Sequence, residues 1–155
     1  MKFIDFDLQE LEVVLEDLNG NSQALWGGMS AAQMVQHLID IAQISNGRID
    51  VTFANKPENL PKLRHILYKK VPFPKEFAAP KQVEDMIGKN KAASIADINS
   101  LKGQLINELE KMEVHLSDGK KVTNAVFGPL DLADWKWFHR KHISHHLAQF
   151  GVWEY

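Results

Sequence analysis

The chain has 155 residues, 45% of them hydrophobic and 25% charged, which suits one globular domain, 1–155, with a sizeable core. The 18 basic residues against 20 acidic ones leave a net charge of −2, and only Arg48, Arg64 and Arg140 are arginines. A nucleic-acid partner, which needs a basic stripe to replace phosphate counterions, is therefore not expected. No cysteine is present, so disulfides, thiolate nucleophiles and cysteine-based zinc sites are excluded.

Asp5 and Asp7 interrupt the amino terminus where a signal peptide needs an apolar run. No apolar stretch is long enough to span a bilayer. The expectation is a cytoplasmic protein with no membrane partner.

Leu8, Leu11, Leu15 and Leu18 form one stripe, which predicts a helix from Asp7 to about Asn19, stopped by Asn19-Gly20-Asn21. A second helix has a clear start, because Ser30 followed by Gln33 is a capping box ahead of an apolar run. It should carry Met34, His37, Ile41 and Ile44 on one face and fray near Asn46-Gly47. From about Phe53 to Gly88 the pattern is irregular. A short helix from Leu60 to Lys70 is predicted, with Pro61 in its first turn and Leu63, Ile66 and Leu67 facing inward. Pro72, Pro74 and Pro80 then argue against long regular structure. This stretch reads as a long crossover connection that covers one end of a cavity.

A third long helix is predicted from Ser94 to His115, with Ile95, Ile98, Leu101, Leu105, Leu109 and Met112 at helical spacing. Asp118-Gly119 breaks it. The fourth should start after Gly128-Pro129 with Asp131 as its cap, and end at Gly151. No strand pattern persists, so the predicted class is all-α: a four-helix bundle whose second and third helices are joined by the crossover.

Seven histidines are present, four of them between His139 and His146. His142 and His146 are four apart, about 40° around a helix, and so share a face. His139 lies on that face too, with Trp135, Gln149 and Trp153, whereas His145 points further round. His37 lies on the apolar stripe of the second helix. Three inward imidazoles would repel if protonated and leave acceptors unpaired if neutral. A divalent cation removes both problems, and neutral imidazole is a good ligand for zinc, nickel and iron. His37, His142 and His146 are therefore the candidate metal ligands. A surface pair four residues apart, with no ion, is the competing account of His142 and His146. His139 and His145 suit supporting or solvent positions, and His65 and His115 suit the surface or rim. No His-Glu-x-x-His pattern accompanies the pair, so a metalloprotease is not indicated.

Two segments carry a resemblance. Trp26-Gly27-Gly28-Met29-Ser30-Ala31-Ala32-Gln33-Met34-Val35-Gln36-His37-Leu38 resembles the start of the second helix in the DinB/YfiT-like superfamily. Phe127-Gly128-Pro129-Leu130, then Trp135, then Lys141 to Gly151, resembles its last-helix motif, and the nearest branch is known only as a domain of unknown function. The resemblance implies a four-helix bundle and a metal held by one histidine of the second helix and a His-x-x-x-His pair of the last. Those positions fall on His37, His142 and His146, with Gln149 in a supporting role. It also implies thiol S-transferases using bacillithiol, mycothiol or glutathione, or a mycothiol-dependent maleylpyruvate isomerase, as functional relatives.

Two kinds of function follow. In the first, three histidines leave a coordination position open, as in catalytic zinc sites. The protein would then be a metal-dependent small-molecule enzyme holding zinc or nickel, with iron or manganese as further options. It would activate a low-molecular-weight thiol cosubstrate for transfer, or water for hydrolysis. In the second, it is a non-catalytic metal-, ligand- or partner-binding bundle. The resemblance and the aromatic terminus Trp153-Glu154-Tyr155 also suggest a homodimer.

Overall fold

A computed structural model describes residues 2–89 and 97–155. Among the described residues the chain forms six α-helices and one small hairpin: α1 (Leu8–Leu15), α2 (Ala31–Ser45), α3 (Leu60–Tyr68), α4 (Lys81–Lys89), α5 (Ile98–His115), β1 (Val122–Asn124), β2 (Gly128–Leu130) and α6 (Leu132–Gln149). A single 3-10 turn, Pro57–Asn59, leads into α3. The chain is thus mostly helical. Among the described residues no helix is long and apolar enough to cross a membrane.

The helix starts follow from capping chemistry. The Ser30 hydroxyl accepts from Gln33 N while the Gln33 side chain accepts from Ser30 N, closing the predicted box ahead of α2. Asp131 and Asp134 make the same reciprocal pair ahead of α6. Asp7 caps α1, which is shorter than predicted: it ends at Leu15, and Leu18 reaches the core from the following turns. Asp97 caps α5. The predicted start of that helix at Ser94, and Ile95 of its stripe, lie outside the described residues.

Buried residues of α1 (Leu11, Leu15), α2 (Met34, Val35, Leu38), α5 (Leu101, Leu105, Leu109) and α6 (Ile143, Leu147) share one apolar cluster. Helices α2 and α6 run antiparallel, because His37 meets His142 while Ser45 meets His139. The end of α2 is locked to α5 through the buried Glu108 carboxylate, which accepts from Asn46 Nδ2 at 2.6 Å and from Arg48 at 2.6 Å.

The structure departs from expectation in three ways, two of them in the connection after α2. Ile66 is 38% exposed rather than inward, leaving Leu67 as the buried residue of α3. A helix, α4, follows the prolines instead of irregular chain. Pro80 sits just before its first turn, where a missing N–H costs nothing, and its carbonyl accepts from Val83 N and Glu84 N. Lys81 and Asp85 add a pair one turn apart. The third departure is the hairpin, which pairs Val122 with Leu130 and Asn124 with Gly128. Its strands are three residues long, too short for alternation to be read in the sequence. Asn124 Oδ1 holds the tip by accepting from Val126 N and Phe127 N.

A second apolar cluster fills the end of the molecule covered by this connection and the hairpin, with Ile41, Ile44, Leu67, Phe73, Phe127 and Phe138 among its members. The connection is pinned to α6 at two places. Arg64 and Tyr68 of α3 both donate to Asp134, the arginine in bidentate fashion at 2.9 and 3.2 Å. Lys141 is fully buried, and its ammonium donates to the carbonyls of Ile66 and Lys69 at 3.0 Å and of Leu67 at 3.4 Å. The C-terminal aromatics are half-buried against the amino-terminal stretch of the chain. Trp153 Nε1 donates to Lys2 O and the Tyr155 ring packs edge-on against Phe3.

Lys141 anchors the orphan carbonyls at the end of α3, so Lys141→Met should destabilise the protein by about 1–3 kcal/mol. Urea unfolding measures this directly, and an unchanged midpoint would show that the anchor carries no net weight.

Candidate metal centre

The three predicted ligands converge. His37 Nε2 lies 3.1 Å from His142 Nε2, and His142 Nε2 lies 3.1 Å from His146 Nε2. The donor atoms of all three fall within 4.8 Å of one another. An ion with nitrogen ligands at about 2.0–2.1 Å would space them about 3.3 Å apart in a tetrahedral site, so the cluster needs little adjustment to close on zinc. Among the described residues the group consists of these three histidines, with no carboxylate in it.

The protonation of one ring follows from its surroundings. Gln149 Nε2 donates to Trp26 O at 2.8 Å, which fixes the amide orientation, since a carbonyl only accepts. Gln149 Oε1 then faces His146 Nδ1 at 2.9 Å and must accept its proton. His146 Nε2 therefore carries the lone pair, aimed at the cluster. Gly27 is part of the same arrangement. Its φ is +80°, and a Cβ there would come within 2.5 Å of Gln149 Nε2.

Burial keeps the rings neutral. It pushes His37 down to about 4, helped by repulsion from His145. Burial, with repulsion among the neighbouring rings, holds His142 and His146 well below the usual histidine value. His37 Nδ1 and His142 Nδ1 are buried without a hydrogen-bond partner. Three neutral imidazoles with facing nitrogens have too few protons of the right placement to satisfy one another. A divalent ion fits this donor set, taking one lone pair from each.

The remaining histidines divide as follows. His139 is buried but is not in the cluster. Ser45 Oγ donates to Ala42 O, so it accepts from His139 Nε2 at 3.0 Å, and the ring stacks on Trp135. Burial pushes this ring down to about 3. His145 is also buried rather than in solvent. It bonds the Phe73 backbone and lies edge-on to His146 and Trp26. His65 is exposed and His115 is half-buried, packed beside Gly47. Trp153 does not share the ligand face, because the helix ends before it.

Beside the three nitrogens opens a cavity of about 190 Å³. Its walls come from α2 and α6, from the hairpin residues Asn124 to Phe127, and from Phe73, Phe77 and Val83 of the connection. The connection thus covers one end of a cavity, as its length suggested. The individual wall residues were not identifiable beforehand, apart from the aromatic character of the Phe127-Gly128-Pro129 segment.

Comparison with protein-family models, with curated proteins and with solved structures found no match for this chain.

Two predictions come from this geometry. A histidine held below its unfolded value of about 6.5 binds fewer protons folded than unfolded, so stability falls as pH falls through 6.5 and keeps falling until the folded value is reached. For the metal-free protein, His37 and His139 place that window between about 6.5 and about 3–4, each adding up to about 1.4 kcal/mol per pH unit. Urea midpoints should drop steeply between pH 6.5 and about 4.5, and a flat profile would contradict burial of these rings. Separately, Gln149→Leu should weaken zinc binding about 10–100-fold by freeing the His146 tautomer. Gly27→Ala should weaken it in the same direction by displacing Gln149. Competition against a chromogenic chelator reads both, and unchanged affinities would remove Gln149 from the site.

Proposed function

We propose that the protein is a metal-dependent small-molecule enzyme on a DinB/YfiT-like four-helix bundle, with α1, α2, α5 and α6 as its helices. His37, His142 and His146 would hold the ion, zinc or nickel by preference. One observation carries this reading: three imidazole Nε2 atoms converge at the wall of an apolar cavity, leaving the cavity side free of protein ligands among the described residues. A structural zinc site is normally closed by four protein ligands, whereas a catalytic one keeps a position open.

A divalent ion there would acidify a thiol or water that reached it, giving a nucleophile near neutral pH. The chain supplies the rest. Gln149 sets the His146 tautomer, and Phe138 stacks on His142 at 5.2 Å and 25°, fixing the plane of that ring. The aromatic walls exclude water and strengthen every electrostatic interaction inside. No protein nucleophile is needed, which suits a chain without cysteine. Transfer of a low-molecular-weight thiol to an electrophile is the leading chemistry, with hydrolysis second. The resemblance of residues 26–38 and 127–151 to the superfamily supports that order.

The test is a double substitution, His142→Ala with His146→Ala. It should abolish binding of zinc or nickel, measured by metal analysis after dialysis, while the helical signal and a cooperative melt persist, because apolar packing supplies most of the stability. The metal-loaded parent should conjugate a small thiol to an electrophile, or hydrolyse an activated ester, and the variant should not. Retained metal in the variant would sink the ligand assignment. Absence of any metal-dependent turnover across a broad screen would favour a non-catalytic binding module.

A further inference from the structure

The walls of the cavity are more informative than its floor. Among the described residues, apart from the three converging histidines, the polar residues lining it with uncommitted groups are Asn124 and His145, and no Asp, Glu, Lys or Arg lines it. The Trp135 indole N–H is already used on Val122 O. Aromatic rings dominate. Phe73 packs against Phe127 and Phe138 with centroids 6.2 Å apart in each case, and Phe127 meets Phe138 at 6.0 Å. Phe138 in turn stacks on His142, so the aromatic wall runs without interruption to a ligand ring. Ile41, Ile44 and Val83 complete the enclosure.

Size and polarity together restrict the occupant. A cavity of about 150 Å³ lined by apolar side chains is enough to hold benzene. One of about 190 Å³ therefore holds a single substituted ring, roughly 8–11 non-hydrogen atoms. A charged substituent on that ring would be stripped of water with no counter-ion to meet it, a cost several-fold larger than the gain from burying the ring. Polar help is sparse. Asn124 Oδ1 is occupied by Val126 N and Phe127 N, so its amide NH₂ is the end left to face a ligand.

From these observations we propose that the cavity binds a compact molecule with an uncharged aromatic or equally bulky branched aliphatic body and one polar head, the head placed against the Nε2 atoms of His37, His142 and His146. Where the reaction is thiol transfer, this molecule is the electrophile, and the highly charged body of a cosubstrate such as glutathione stays outside. The placement of the head rests on the metal reading above. The choice of body does not, because it depends on the walls alone.

The experiment separates the two. Metal-free protein is titrated with toluene and with phenylacetate and followed by ligand-induced change in melting temperature and by methyl NMR. Toluene should raise the melting temperature and shift the Ile41 and Ile44 methyl signals, and phenylacetate should do neither. Zinc-loaded protein is then titrated with acetohydroxamate, benzohydroxamate and 4-carboxybenzohydroxamate. The phenyl group should tighten binding roughly tenfold or more over the methyl compound, and the added carboxylate should remove that gain. Ala79 of the connection also lines the cavity, and Ala79→Trp, which fills space there and leaves His37, His142 and His146 unchanged, should abolish both the toluene effect and the phenyl preference while zinc affinity stays within about threefold. If zinc fails to bind yet toluene still does, the metal reading falls and the body assignment stands. If zinc binds but the three hydroxamates are equivalent, or if phenylacetate binds metal-free protein as well as toluene does, the proposal is overturned.

Discussion

A buried imidazole must be neutral and must still find partners for two nitrogens, and this constraint organises the functional end of the molecule. Five histidines are buried or half-buried around α6 and α2, and each has its value lowered mainly by burial. Single local partners satisfy some of them: a Ser45 hydroxyl for His139, the Phe73 backbone for His145, the Gln149 amide for one side of His146. What remains are three Nε2 atoms that face one another, for which no arrangement of protons is adequate. Everything else near the site is consistent with holding those atoms in place: the antiparallel crossing of α2 and α6, the tight Trp26–Gly27 turn over Gln149, and the aromatic stack on His142.

The connection between α2 and α5 and the hairpin ahead of α6 play the complementary part. Helices supply the three converging histidines, since rigid cylinders hold side chains more closely than loops do. They cannot also wrap a small molecule. The segment after α3 does this, bringing Phe73 and Phe77 over one side of the cavity while Lys141 fastens the chain just before them. Lys141 lies next to His142 in sequence, about 100° round α6, and its ammonium sits 4.7 Å from the centre of the Phe73 ring. One turn of that helix therefore sets both the floor of the pocket and the anchor of its cover.

The helical framework was legible in the sequence because each signal had a local cause. Ser30 with Gln33, and Asp131 ahead of α6, could be read from spacing alone, since a capping interaction involves residues three apart. The convergence of three histidines was legible for a related reason: His142 and His146 share a face by helical geometry, and His37 stands where an apolar residue would otherwise pack. The hairpin, α4 and the outward turn of Ile66 were not legible. Strands of three residues give no period, and a nine-residue helix behind three prolines looks like turn chemistry. The orientation of Ile66 depends on how α3 leans against α6, which Asp134 decides from 66–70 residues away through Tyr68 and Arg64. Trp153 misled for the opposite reason, because extending the ligand face past Gly151 assumed a helix that ends at Gln149.

The polar network around Gln149 bears on why a glutamine occupies this position. A carboxylate in its place would also accept from His146 Nδ1, and would make that ring a stronger donor to a metal. It could not donate to Trp26 O, however, and would set a negative charge beside a carbonyl in a part-buried site with no cation among the wall residues. The amide does both tasks without charge: one end fixes the tautomer of His146 and the other ties α6 to the turn that begins α2. The same economy recurs at Asn124, which lines the cavity while its oxygen holds the hairpin tip. In both cases a neutral bifunctional side chain lets one residue couple backbone geometry to the site, and the pocket stays free of charge apart from whatever the three histidines bind.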